Sequence, residues 1–204
     1  NSQVAIIMSD SAKVWDAGRY SDCLNKLYTA LTFCGMRISF VSERQLARGE
    51  LPSTPLLFVP YIQHISDKAF EGLRNYKGKI IVVGEGELLG FNEYNHPRSE
   101  KIESEWLDCR YGETTWQDLW QKLWIKLRDW GVKPQTEIVD KSGNPLWGVA
   151  WLSTEVDKGT LVNICNYREE KVELKLGDGD QSALDLLSGE RISSASLSLS
   201  PLEF

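Results

Sequence analysis

The chain is poor in the residues that most often announce chemistry. Among 204 residues there are two histidines, His64 and His96, and four cysteines, none in a C-x-x-C spacing. Without a clustered set of His, Cys and carboxylate ligands, no metal site is expected. No apolar run approaches the roughly 20 residues needed to span a bilayer, and the amino end has no signal-peptide pattern. Basic clusters are also missing, and the net charge is −6. Nucleic acid and anionic membranes are therefore not expected partners. Neither an internal repeat nor a low-complexity tract interrupts the chain. Cys23 and Cys34 fall in one predicted helix, about 16 Å apart at 1.5 Å per residue, beyond disulfide reach. Nothing in their spacing asks Cys109 and Cys165 to pair, so buried or half-buried free thiols are the expectation, which favours a reducing, cytoplasmic setting.

What is present is ordered around residues 54–90. Leu56–Val59 and Ile80–Val83 are apolar and branched, as strands covered on both faces are. Between them, Ser66 is placed to cap a helix whose Ala69, Phe70, Leu73 and Tyr76 share one face, with Gly78 expected to stop it. This predicts a parallel βαβ unit. Upstream, residues 4–8 read as a strand, followed by a loop with Asp10, Trp15 and Asp16, then a helix over residues 19–34. Residues 37–41 read as a strand, and Ser42 with Gln45 as a capping box. The alternation predicts a flavodoxin-like three-layer α/β sandwich.

Residues 91–112 lose periodicity and read as a long loop. A helix is predicted over residues 114–130, with Trp116, Trp120 and Trp124 in one stripe. Core packing explains such a stripe, and so does an assembly surface. After Pro134 the period becomes alternating. Six short strands, over 136–139, 147–156, 160–165, 171–176, 183–187 and 197–202, predict a small antiparallel β-sandwich. The boundary is placed near Lys133, giving domains 1–133 and 134–204. Trp147 and Trp151 are expected on one face of a strand, either in the sandwich core or stacking on sugar rings. Both ends read as cut from a longer polypeptide.

Catalytic candidates are weak. Gly84-Glu85-Gly86 has the glycines of a nucleophile elbow, but a glutamate where a thiol is needed. It also lacks the Lys-Ser/Thr of a phosphate loop. Glu85 and Glu87 suggest a glycosidase carboxylate pair, and Asn92-Glu93 an acid at a barrel-strand end. A (β/α)8 barrel needs about 250 residues, however, and the β/α units here are too few. No catalytic residue, cofactor or metal ligand is assigned.

The order of parts carries a resemblance. VAIIMSD, Trp15, CGMRISFVSERQL, TPLLFVP and SDKAFEGLRNYKGKIIVVGEGE resemble the trimerisation domain of family 42 glycoside hydrolases, an amidotransferase-like fold that is catalytically dead and follows a TIM barrel. GTLVNICNYREEKVELKL, ALDLLSGERI and LSLSPLEF are similar to the small sandwich that closes such β-galactosidase-like enzymes. The resemblance implies a non-catalytic piece that assembles with itself as a homo-oligomer, a trimer in that family. It further implies support of a catalytic barrel, and carbohydrate as the substrate of the parent enzyme. The alternative is a carbohydrate-binding module using Trp147 and Trp151.

Overall fold

The computed structural model describes residues 2–157, 159–177 and 182–201. They fall into two compact units, Asn1–Ala30 with Arg37–Leu119, and Leu31–Met36 with Trp120–Phe204.

The first unit holds a five-stranded parallel sheet ordered β2-β1-β3-β4-β5. Its strands are β1 (Val4–Met8), β2 (Ile38–Ser42), β3 (Leu56–Pro60), β4 (Lys79–Gly84) and β5 (Glu105–Asp108). Every residue of β3 is buried, so both faces of the sheet are covered, as the unbroken apolar runs require. The connections are α1 (Asp10–Thr32), α2 (Glu43–Ala47) and α3 (Asp67–Arg74). The sheet grows from β1 to β2 in one direction and from β3 to β5 in the other. Right-handed crossovers then put α1 on one face and α2 and α3 on the opposite one. Gly72 of α3 packs on the Leu46 carbonyl of α2, where a side chain has no room.

Local signals explain most element ends. Ser42 and Gln45 form a reciprocal capping box at α2, and the Ser66 hydroxyl accepts from the Ala69 N–H at α3. At α4 (Trp116–Asp129), Thr115 and Asp118 cap each other in the same way. α3 ends earlier than expected, at Asn75, whose side chain donates to the Glu71 carbonyl. Gly78 serves close approach instead: a Cβ there would lie 2.6 Å from the Pro55 carbonyl oxygen.

Three expectations are corrected. Asp10, Trp15 and Asp16 lie in α1, which starts nine residues before Arg19 and is kinked at Asp16 (φ −150°, ψ 73°). The segment 91–112 contains β5, an edge strand. Cys34 follows the end of α1 in a turn, so it does not share a helix with Cys23. All four cysteines are free and buried.

The second unit carries α4 from Trp120 onward, and the strands among its described residues pair antiparallel. β6 (Ile138–Val139), β9 (Val172–Leu176) and β12 (Leu197–Leu199) form one sheet, β7 (Val149–Val156) and β8 (Gly159–Asn166) a hairpin, and β10 (Ser182–Leu184) with β11 (Arg191–Ser193) a second pair. β11 was not expected. Trp147 sits in the turn before β7, not on the strand with Trp151. Lys158, the turn at 178–179 and Leu202–Glu203 of the closing motif lie outside the described residues.

Candidate functional site

The order in which the chain adds strands to the parallel sheet reverses between β1 and β3. Ligands of doubly wound sheets bind outside the carboxyl ends of the strands at such a reversal. The loops leaving these ends therefore define the candidate site.

Its buried centre is Glu43, the first residue of α2, only 7% exposed. One carboxylate oxygen accepts from Ser9 Oγ at 2.8 Å and Ser11 N at 3.3 Å, the other from Ser11 Oγ at 2.9 Å and Ser66 N at 2.8 Å. Burial opposes its charge. The donors outweigh burial, led by the Ser66 N–H and the Ser9 hydroxyl, and hold the carboxyl below its usual range. Four donors saturate the carboxylate, so it ties the β1–α1 loop to the amino ends of α2 and α3. That is a structural role.

Residues of the neighbouring segments form an aromatic stack. Trp15 is parallel to His64 with centroids 4.5 Å apart, and His64 stacks on Phe91 at 5.2 Å. The indole N–H donates to the Glu93 carbonyl at 3.2 Å, and His64 Nε2 bonds Asn95 Oδ1 at 2.9 Å. One turn further along α1, Arg19 donates to the Tyr61 hydroxyl at 3.0 Å and pairs with Asp16 at 3.5 Å. Cys23, further along α1, donates to the Val83 carbonyl at 3.4 Å. A hydrogen bond with Cys109, together with burial, raises its pKa well above the ordinary thiol value, so it is no ready nucleophile.

The sequence candidates at this edge, Glu87 apart, are occupied structurally. Glu85 follows β4 in a bend and accepts the Tyr111 N–H at 3.2 Å. The next element is a strand, so no strand-to-helix elbow forms there. Asn92 is buried, and its Oδ1 accepts the N–H groups of Tyr94 and His96, each at 3.0 Å. Glu93 Oε2 accepts the Asp67 N–H at 3.3 Å, and Arg98 pairs with Asp67. Glu87 is exposed. Among the described residues, no group of three or more His, Cys, Asp or Glu side chains is placed to hold a metal ion.

The tryptophan stripe on α4 divides. Trp116 is 41% exposed, whereas Trp120 and Trp124 are buried. Trp120 donates its indole N–H to the Phe33 carbonyl at 3.1 Å and packs near Trp147 at 5.5 Å, and Arg128 lies over the Trp124 ring at 4.1 Å. Trp151 is buried, with its N–H on the Thr136 carbonyl at 2.8 Å, while Trp147 is half-buried edge-on to Phe33. The pair therefore presents no shared open platform to a sugar. Glu43 and the Trp15–His64 stack escaped sequence reading, because their partners come from distant loops.

No family model and no curated protein matches the chain. Solved structures do. The GH42 exo-carrageenase of Bacteroides ovatus aligns over 98% of this chain and 28% of its own, at 16% identity and a TM-score of 0.73. A catalytic mutant of Gan42B, a GH42 beta-galactosidase from G. stearothermophilus, aligns over 100% and 39%, at 13% identity and 0.72. The beta-galactosidase of Bacillus circulans sp. alkalophilus aligns over 99% and 40%, at 12% identity and 0.68. The chain thus spans 28–40% of the length of these proteins. In fold, nearly all of this chain resembles part of a GH42 glycoside hydrolase, the family that the order of its sequence motifs led us to expect.

Proposed function

We infer that this chain is the non-catalytic, C-terminal part of a β-galactosidase-like glycoside hydrolase. A flavodoxin-like, class I glutamine amidotransferase-like domain over residues 1–133 precedes a β-sandwich over 134–204. Its work is assembly with copies of itself, as a trimer, and support of a TIM-barrel catalytic domain outside this chain. The observation that carries the reading is the match along nearly the whole chain to only 28–40% of GH42 enzymes. The strand order β2-β1-β3-β4-β5 supports the first domain, and the antiparallel pairings support the second. Occupation of Glu43, Glu85, Asn92 and Glu93 by fixed backbone and side-chain donors supports a domain without its own chemistry.

The purified chain, given chromogenic galactosides and glutamine, is expected to turn over neither, and light scattering is expected to show a homo-oligomer. Turnover that disappears on Glu85→Gln or Glu93→Gln replaces the reading with an enzyme. A strict monomer at high concentration removes the assembly role.

A further inference from the structure

At the β1/β3 reversal, the first part of α1 carries a tryptophan that is immobilised and yet open. Trp15 has one indole face on His64, at 4.5 Å and 14°, and its N–H on the Glu93 carbonyl. The side chain is nonetheless 46% exposed, flanked along the chain by Val14 at 82%. Tyr94, next to the Glu93 that holds the indole, is 72% exposed. The backbone arranges this. Asp16 leaves the helical conformation, and its carboxylate caps the resumed helix through the Arg19 N–H at 3.1 Å.

A tryptophan that only closes a core has no need of an open face. An indole already fixed at its edge and on one side loses little further freedom when something stacks on the other side. A pyranose suits it: the ring has an apolar C–H face for the indole and a belt of hydroxyls for polar neighbours. Such neighbours follow it along α1, Asp16 next in the chain and Arg19 four residues on. The Asp16 carboxylate pairs with Arg19, whose side chain is 48% exposed. The Tyr111 hydroxyl and Asp16 Oδ1 each lie 3.9 Å from the position a Cβ on Gly18 would take.

Charge selects the kind of sugar. Asp10, Asp16, Asp67, Glu85, Glu93, Asp108 and Glu113 outnumber Lys13, Arg19, Arg98 and Arg110 around this edge, and the chain as a whole is at −6. A sulfated or phosphorylated ring meets net repulsion here.

We propose that the carboxyl edge of the parallel sheet binds a neutral hexopyranose, stacked on the open face of Trp15 and hydrogen-bonded by Asp16 and Arg19. The choice of ligand class rests on the carbohydrate-enzyme reading above. The test titrates the chain with methyl β-D-galactopyranoside and follows the Trp15 indole N–H by heteronuclear NMR, the signal being assigned from its loss in Trp15→Phe. A saturable shift of that signal is expected in the parent chain, and none with the sulfated galactoside. In the variants, which lack the indole, the backbone amide shifts of residues around position 15 read binding, weakened about tenfold or more in Trp15→Ala and partly retained in Trp15→Tyr. Asp16→Asn, which keeps an oxygen for the cap, is expected to weaken binding with the fold intact. No shift up to about 100 mM sugar, or undiminished binding by both Trp15→Ala and Asp16→Asn, overturns the proposal. So does an indole shift that follows protein concentration without sugar, because a second copy of the chain then covers the face. Binding is read without any catalytic domain, so its failure leaves the assembly reading standing, and failure to assemble leaves a measured sugar site standing.

Discussion

The indole of Trp151 lies against the backbone of Gly35, so close that a Cβ at residue 35 would overlap the Cε2 and Nε1 atoms of the ring. Gly35 is the turn residue after α1, with φ 68°, and the indole N–H is fixed on the Thr136 carbonyl. The indole therefore cannot swing away without losing its hydrogen bond. This is why Leu31–Met36 belongs to the second compact unit although its sequence continues the first helix.

Gly35→Ala should accordingly destabilise the protein by about 3 kcal/mol. Roughly 1–2 kcal/mol comes from the left-handed conformation and the rest from overpacking against a ring held in place. Urea unfolding followed by tryptophan fluorescence reads the change. A variant as stable as the parent would show that the turn can move off Trp151.

The sequence was legible where structure is decided locally. β1, β3 and β4 are apolar runs, and a run needs no partner to be recognised. The Ser42–Gln45 box joins residues three apart. β5 was missed because it is a four-residue edge strand, Glu-Trp-Leu-Asp, with only Leu107 buried. Trp147 was put on a strand because the i, i+4 spacing to Trp151 suits alternation. Gly148, at φ 81°, delays the strand to Val149. The candidate site was the least legible part. Glu43 meets Ser9, Ser11 and Ser66 across 34, 32 and 23 residues, and nothing in a glutamate after a capping serine announces those donors.

Glu43 makes stability depend on pH in a stated direction. Its folded pKa lies below the ordinary 4.5, so the unfolded chain binds more protons as the solution is acidified. The stabilisation is full above the unfolded pKa, declines as pH falls below about 4.5, and is lost once pH passes the folded value. Glu43→Gln puts an amide group among the donors and should cost about 2 kcal/mol at neutral pH. Its penalty should shrink toward pH 3, at the acid end of ordinary carboxylate titration. Denaturant titrations of parent and variant between neutral and acid pH give the comparison. A penalty that stays constant would mean that the carboxylate charge plays no part in holding the loops.

The α4 tryptophans separate assembly from folding. Trp120 is 4% exposed, with its N–H on the Phe33 carbonyl, whereas Trp116 is 41% exposed on the first turn of the same helix. Trp120→Gln removes a buried ring and should cost about 3–5 kcal/mol. It lowers the unfolding midpoint whether or not the chain associates. Trp116→Gln removes surface only, so stability should change by no more than about 0.5 kcal/mol. If Trp116 lies in the contact between copies, the same change weakens self-association because it takes apolar area from that contact. Sedimentation or light scattering over a concentration series, with unfolding midpoints measured alongside, separates the two effects. An unchanged association constant in Trp116→Gln moves the assembly surface off α4. Trp120→Gln that associates less while unfolding normally would mean that its burial is not needed for the fold.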